Sequence, residues 1–229
     1  RTITQYINLL KADLASLEAR GGRPAKSVIG EAGRPIFLGF TGIMADPFDV
    51  AGGVRAMIRT LAGRFPGSSH GVFGWRQVSQ ARRFLSDARA AGGCPIVLIG
   101  HSFGGDKASE LAVELNEKPG TVKALVTIDV TWQVGGNSPV SLLSGLAKIV
   151  TFPVGAAAAP WGAPSPWAKR MTKPAGNVLW LNFYNTKRAL FRGKKQATAT
   201  NIELPTGHTQ TDEMAFTRVV ERISSELAK

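Results

Sequence analysis

A chain of 229 residues, 44% of them hydrophobic, has enough apolar material for one α/β domain with a substantial core. Its single cysteine, Cys94, excludes an internal disulfide framework and a cysteine-rich metal site, and is expected as a small buried side chain beside a strand. The formal charge of +12 is unevenly spread, because no Asp or Glu stands between Val130 and Ile202, a stretch that holds Lys148, Lys169, Arg170, Arg192, Lys194 and Lys195 among others. Such a one-sign segment, 148–195, either projects a positive field toward an anionic lipid or polymer surface or serves as a solvated face. No specific nucleic-acid motif accompanies it. The most apolar region, Ser141 to Trp167, is broken by Lys148, Pro153, Pro160, Pro164 and Pro166, which a membrane-spanning helix would not tolerate. A soluble protein is expected. The start at Arg1 rather than at methionine keeps a processed, periplasmic or secreted form open, and nothing in the sequence sets the oligomeric state.

Along the chain, Ile3, Ile7, Leu10, Leu14 and Leu17 form one helical stripe, predicting an amphipathic accessory helix over residues 1–20 with a linker ending at Pro24. The main domain is expected over 25–229. Pro35-Ile-Phe-Leu38 predicts a short strand running into a Gly39-Phe-Thr-Gly42 loop, followed by a helix near Phe48 to Ala62. Gly71 to Trp75 reads as a second strand. Gln77 to Ala91 reads as a helix with Val78, Ala81, Phe84, Leu85 and Ala88 at helical spacing. The apolar run after Cys94 ends in Gly100-His-Ser-Phe-Gly104 and gives way to a helix over Lys107 to Leu115. Ala124 to Ile128 is a buried-strand run that ends in Asp129.

Residues 135–176 break this rhythm. They are rich in Pro, Ala, Gly and Trp, and read as an apolar lid-like insertion or as a surface loop packed by its own tryptophans. The regular pattern resumes with strands at Asn177 to Tyr184 and within Ala197 to Leu204, then Pro205-Thr-Gly-His208, and a helix from Asp212 to Leu227. Strands alternating with helices specify an α/β fold, a mostly parallel sheet sandwiched by helices. Right-handed crossovers bring the carboxyl ends of the parallel strands to one edge. Gly39 to Gly42, Ser102 and Asp129 all emerge there.

A strand that turns directly into a helix through Gly-x-Ser-x-Gly presents its serine hydroxyl at that edge. Gly67-Ser-Ser-His-Gly71 has the same spelling around Ser69, but it follows Phe65-Pro66 and precedes an extended run, so its context is wrong. A serine hydroxyl becomes nucleophilic when a neutral imidazole takes its proton and a carboxylate stabilises the imidazolium. Of the three histidines, His101 lies inside the turn and His70 far upstream, which leaves His208, in the loop after the last strand. The usual acid position after the penultimate strand offers only Asn182, Tyr184 and Asn185, so Asp129 is the candidate acid, with Asp212 as runner-up and better suited to cap the last helix. The oxyanion calls for two backbone donors. The amide of Phe103, at a helix N-terminus, is one; the other comes from the loop after the first strand, Phe40 with Thr41 second. Thr41, His101, Trp132, Trp161 and Trp167 are the candidate substrate-lining residues.

The order of Gly-Phe-Thr-Gly loop, Gly-His-Ser-Phe-Gly-Gly elbow, strand-terminal Asp129 and late His208 resembles the α/β-hydrolase superfamily, in particular its small lipases and carboxylesterases. The resemblance covers Pro35 to Lys229. Leu38 stands where members often carry histidine before the oxyanion residue. The resemblance implies an α/β-hydrolase fold with reduced N-terminal strands, and hydrolysis through an acyl-enzyme with no metal or organic cofactor. An apolar, tryptophan-bearing insertion suits an ester with an apolar acyl group. A thioesterase, amidase or acyltransferase would use the same residues. From a different class, a non-catalytic binder of an anionic polymer or membrane surface stays open.

Overall fold

The computed structural model describes residues 27–42, 52–117, 120–130, 171–185, 193–207 and 210–229. The chain divides into two compact units, residues 1–24 with 133–163 and residues 25–132 with 164–229. The first lies outside the described residues, as do the expected N-terminal helix and the 135–170 part of the expected insertion.

Among its described residues, the second unit is built on seven strands: β1 (Ser27–Val28), β2 (Ile36–Thr41), β3 (Ser69–Gly74), β4 (Ile96–His101), β5 (Val122–Ile128), β6 (Leu179–Asn185) and β7 (Thr200–Leu204). They lie in the order β1-β3-β2-β4-β5-β6-β7. All neighbours are parallel except β1, which pairs antiparallel with β3 at the edge. At two residues, β1 is too short to carry a sequence pattern. Among the described residues, four helices connect or flank the strands: α1 (Gly52–Arg64), α2 (Val78–Ala90), α3 (Phe103–Leu115) and α4 (Thr211–Leu227).

Side-chain alternation along the strands divides the core in two. Phe37, Val97, Ile99, Val126 and Phe183 face one side and pack with Met57 and Leu61 of α1 and Val219 and Ile223 of α4. Ile36, Leu38, Phe40, Leu98 and Leu125 face the other and pack with Phe84 and Leu85 of α2 and Leu111 of α3. Burial on both faces explains why β2, β4 and β5 read as continuous apolar runs.

The fold changes three expectations. Gly39 to Thr41, expected in a loop after the first strand, continue β2. Cys94 is exposed rather than buried, because it sits in the turn before β4 and not on the strand. The third helix begins at Phe103 rather than Lys107. Gly104 and Gly105 are poor helix formers in isolation, but tertiary packing holds them. A Cβ on Gly104 would fall 2.4 Å from the Phe40 carbonyl oxygen, a backbone atom that cannot step aside. Gly104→Ala is therefore expected to lower unfolding free energy by roughly 1–3 kcal/mol, read as a fall in thermal or urea midpoint. An unchanged midpoint would show that α3 can shift away from β2. No helix among the described residues is long and apolar enough to cross a membrane.

Candidate active site

Ser102 occupies the break between β4 and α3 with φ 56° and ψ −126°. Such a backbone costs an ordinary residue about 1–3 kcal/mol. It persists because both flanks are pinned. The Ser102 N–H donates to the Ile128 carbonyl at 2.9 Å, and the Ser102 carbonyl accepts the Gly105 N–H at 3.0 Å. The flanking glycines are required sterically, since a Cβ on Gly100 would meet the Gly104 carbonyl oxygen at 2.3 Å. The end of β2 stands against the serine: a Cβ on Gly42 would lie 3.3 Å from Ser102 Oγ. The other serine with this spelling, Ser69, starts β3 at the amino edge, and its Oγ accepts the Gly30 N–H at 2.9 Å.

Asp129 follows β5 on the adjacent strand, one residue beyond the His101 to Ile128 pairing. It is fully buried, with φ 44°, and its N–H donates to the Phe183 carbonyl at 2.7 Å. Among the described residues, Ser102 and Asp129 are the two non-glycine residues with positive φ. Strain of this kind gathers where the surrounding structure demands a particular side-chain direction. Asp129 Oδ1 accepts the Gly193 N–H at 2.5 Å and the Asn185 N–H at 3.4 Å, and Oδ2 accepts from Asn185 Nδ2.

The other anticipated residues are placed as follows. Phe103 is the first residue of α3, so its amide belongs to the unsatisfied donors of a helix N-terminus. Its ring packs on Trp75, centroids 5.5 Å apart, and the Arg76 guanidinium lies 4.9 Å from the Trp75 centroid. Phe40 lies within β2, paired with Phe73 and Gly100. Thr41 is buried and its Oγ1 donates to the Phe73 carbonyl at 3.4 Å. His101, the last residue of β4, is also buried. His208, Trp132, Trp161 and Trp167 lie outside the described residues. The chain on either side of His208 is anchored, with the Gly207 carbonyl accepting the Gln210 N–H at 3.0 Å and Thr211 Oγ1 at 2.9 Å. That anchor follows β7, which runs parallel to its neighbour β6.

Asp212 does not take the N-cap position expected for it: Gln210 stands there, without a side-chain capping bond, and Asp212 sits in the first turn. Its Oδ1 accepts the Glu213 N–H at 3.0 Å. The fully buried carboxyl packs on α1, where a Cβ on Gly53 would fall 2.5 Å from it. Among the described residues, no three His, Cys, Asp or Glu side chains gather as a metal site.

Residues 36–222 match the family model described as the alpha/beta hydrolase family. The chain belongs to that family. The solved structures place this hydrolase among similar folds at low identity. Est1E from Butyrivibrio proteoclasticus, with ferulic acid bound, is 10% identical, with 90% of this chain and 96% of that chain covered and a TM-score of 0.51. The esterase domain of a Rhodothermus marinus protein is 15% identical over 89% and 97%, TM-score 0.46. The NocB thioesterase domain of the nocardicin cluster is 17% identical over 90% and 99%, TM-score 0.44. No curated protein sequence matches the chain.

Sequence reasoning passed over two residues of this hydrolase that touch the Asp129 carboxylate. Asn185 registered only as a residue without charge. Gly193 sits in a basic loop with no pattern, and its signal is purely spatial, since a Cβ there would lie 2.7 Å from Asp129 Oδ1.

Proposed function

We propose that this alpha/beta hydrolase cleaves carboxylic esters with an apolar acyl group, using Ser102 as nucleophile, His208 as general base and Asp129 as the acid behind it. One observation carries the reading: a serine and a buried carboxylate, both at positive φ, leave neighbouring parallel strands at the same edge. The commitment of Asp212 to the α1 surface supports Asp129 over it as the acid.

In this scheme His208 takes the Ser102 proton as Oγ attacks the ester carbonyl, and Asp129 stabilises the resulting imidazolium. The developing oxyanion is met by the Phe103 amide, aided by the N-terminal dipole of α3. The second donor comes from the end of β2, from Phe40 or Thr41, just before Gly42, where an added Cβ would lie 3.3 Å from Ser102 Oγ. The imidazolium returns its proton to the leaving alcohol, and water then attacks the acyl-enzyme by the same route in reverse. Trp132, Trp161 and Trp167 are proposed to supply apolar surface for the acyl group.

The test is a fluorophosphonate adduct located by peptide mass, together with p-nitrophenyl esters of short and long chain and an acyl thioester of matched chain. A single adduct on Ser102, with kcat/KM rising with chain length and higher for the oxygen ester, is the expected result. An adduct with thioester preference would move the assignment to a thioesterase. No adduct and no turnover would favour a non-catalytic binder.

A further inference from the structure

We infer that Asn185 is a positioning residue for the Asp129 carboxylate, an inference that rests on the reading of Asp129 as the acid behind the general base. Asn185 is the last residue of β6 and is fully buried. Its Nδ2 donates to Asp129 Oδ2 and its backbone N–H to Oδ1 at 3.4 Å. One residue thus addresses both carboxylate oxygens, which sets the plane of the carboxyl group as well as its place. Gly193 adds a second backbone donor to Oδ1 at 2.5 Å.

The chemistry of these donors matters. A carboxylate at zero exposure needs hydrogen bonds to offset its lost hydration. Each donor from Asn185 and Gly193 is an uncharged amide, which satisfies lone pairs without forming an ion pair. A lysine or arginine at position 185 would neutralise the carboxylate, and an aspartate would repel it. Asparagine orients the group and leaves its negative charge to act on an imidazolium.

The support extends one layer further back. Asn182, also in β6, donates through Nδ2 to the Lys194 carbonyl at 2.9 Å and to Asn201 Oδ1 at 2.8 Å, and Asn201 Oδ1 accepts the Gln196 N–H at 2.8 Å. From the other side, Trp180 Nε1 donates to Thr127 Oγ1 at 3.1 Å, and Thr127 Oγ1 donates to Asn182 Oδ1 at 3.0 Å. This network, buried at its Thr127 end, ties the stretch beginning at Gly193 to β6. The donors from 185 and 193 are therefore held by one strand, which fixes where the carboxylate on its neighbour points.

A double-mutant cycle tests this. kcat and KM on a p-nitrophenyl ester are measured for wild type, Asn185→Ala, Asp129→Asn and the double variant, with thermal midpoints alongside. Asn185→Ala is expected to lower kcat roughly 10–100-fold, as loss of an outer-shell partner does around metal ligands, with KM within about twofold. In the Asp129→Asn background the same change should alter kcat by less than about twofold, because the group it acts through is gone. Asn185→Ser, which keeps a hydroxyl donor, should recover part of kcat, and it takes the place of Asn185→Ala in the cycle if the alanine variant does not fold. Equal losses in both backgrounds would mean a purely structural role, and kcat within about twofold of wild type for Asn185→Ala would mean none; either overturns the inference. A fully active Asp129→Asn enzyme overturns the acid assignment itself, and the inference with it, whatever Asn185→Ala does.

Discussion

Ser102→Ala is expected to abolish turnover of p-nitrophenyl esters, with a loss in kcat of about 10⁶-fold, the scale seen when a triad nucleophile is removed. The fold should be untouched. The backbone bonds that hold Ser102, to Ile128 and from Gly105, survive the substitution, and alanine adds no atom to the space beside Gly42. An unchanged thermal midpoint with turnover gone would locate the chemistry in one hydroxyl. Because nucleophile and base act as a unit, adding His208→Ala to Ser102→Ala should cost almost nothing further. Retention of activity within about tenfold of wild type by Ser102→Ala would end the serine-hydrolase reading.

Asp129→Asn should lower kcat by about 10⁴-fold while leaving KM nearly unchanged, because an amide holds the imidazole in the wrong tautomer without disturbing the geometry. The local structure accommodates the change. The amide oxygen can take the place of Oδ1 and accept from Gly193, and rotation of the Asn185 amide presents an oxygen to the new NH₂ group. The comparison that decides the assignment is Asp212→Asn. That carboxyl packs on α1 at Gly53, so its loss is expected in the thermal midpoint rather than in kcat. If the two variants exchange phenotypes, Asp212 is the acid and Asp129 a structural residue.

The fold was legible because periodicity and burial agree along most of the chain. β4 opens on the apolar run Ile96 to Ile99 and β5 carries the buried run Ala124 to Ile128, and each is followed by a break that only a turn can make. The elbow was legible because its glycines answer a steric demand local to a few residues. The start of α3 was not, since Gly104 and Gly105 are helical for a reason that lies on β2. The same division runs through the candidate site. Ser102 and Asp129 announce themselves by residue type at strand ends. Asn185 and Gly193 act by proximity across β6 and the loop after it, and a neutral amide at a strand end has no composition or spacing to mark it. Cys94 shows the converse, where apolar neighbours in sequence suggested burial and a turn supplied exposure.

That exposed thiol is the sole cysteine of the chain, and it lies just before the amino end of β4, whereas Ser102 lies just beyond the carboxyl end of the same strand. Across a six-residue strand the separation is roughly 20 Å. Maleimide chemistry would accordingly attach a dye, a spin label or a solid support at one defined point, at the opposite edge of the sheet from the hydroxyl, so that the protein can be tethered and assayed at the same time.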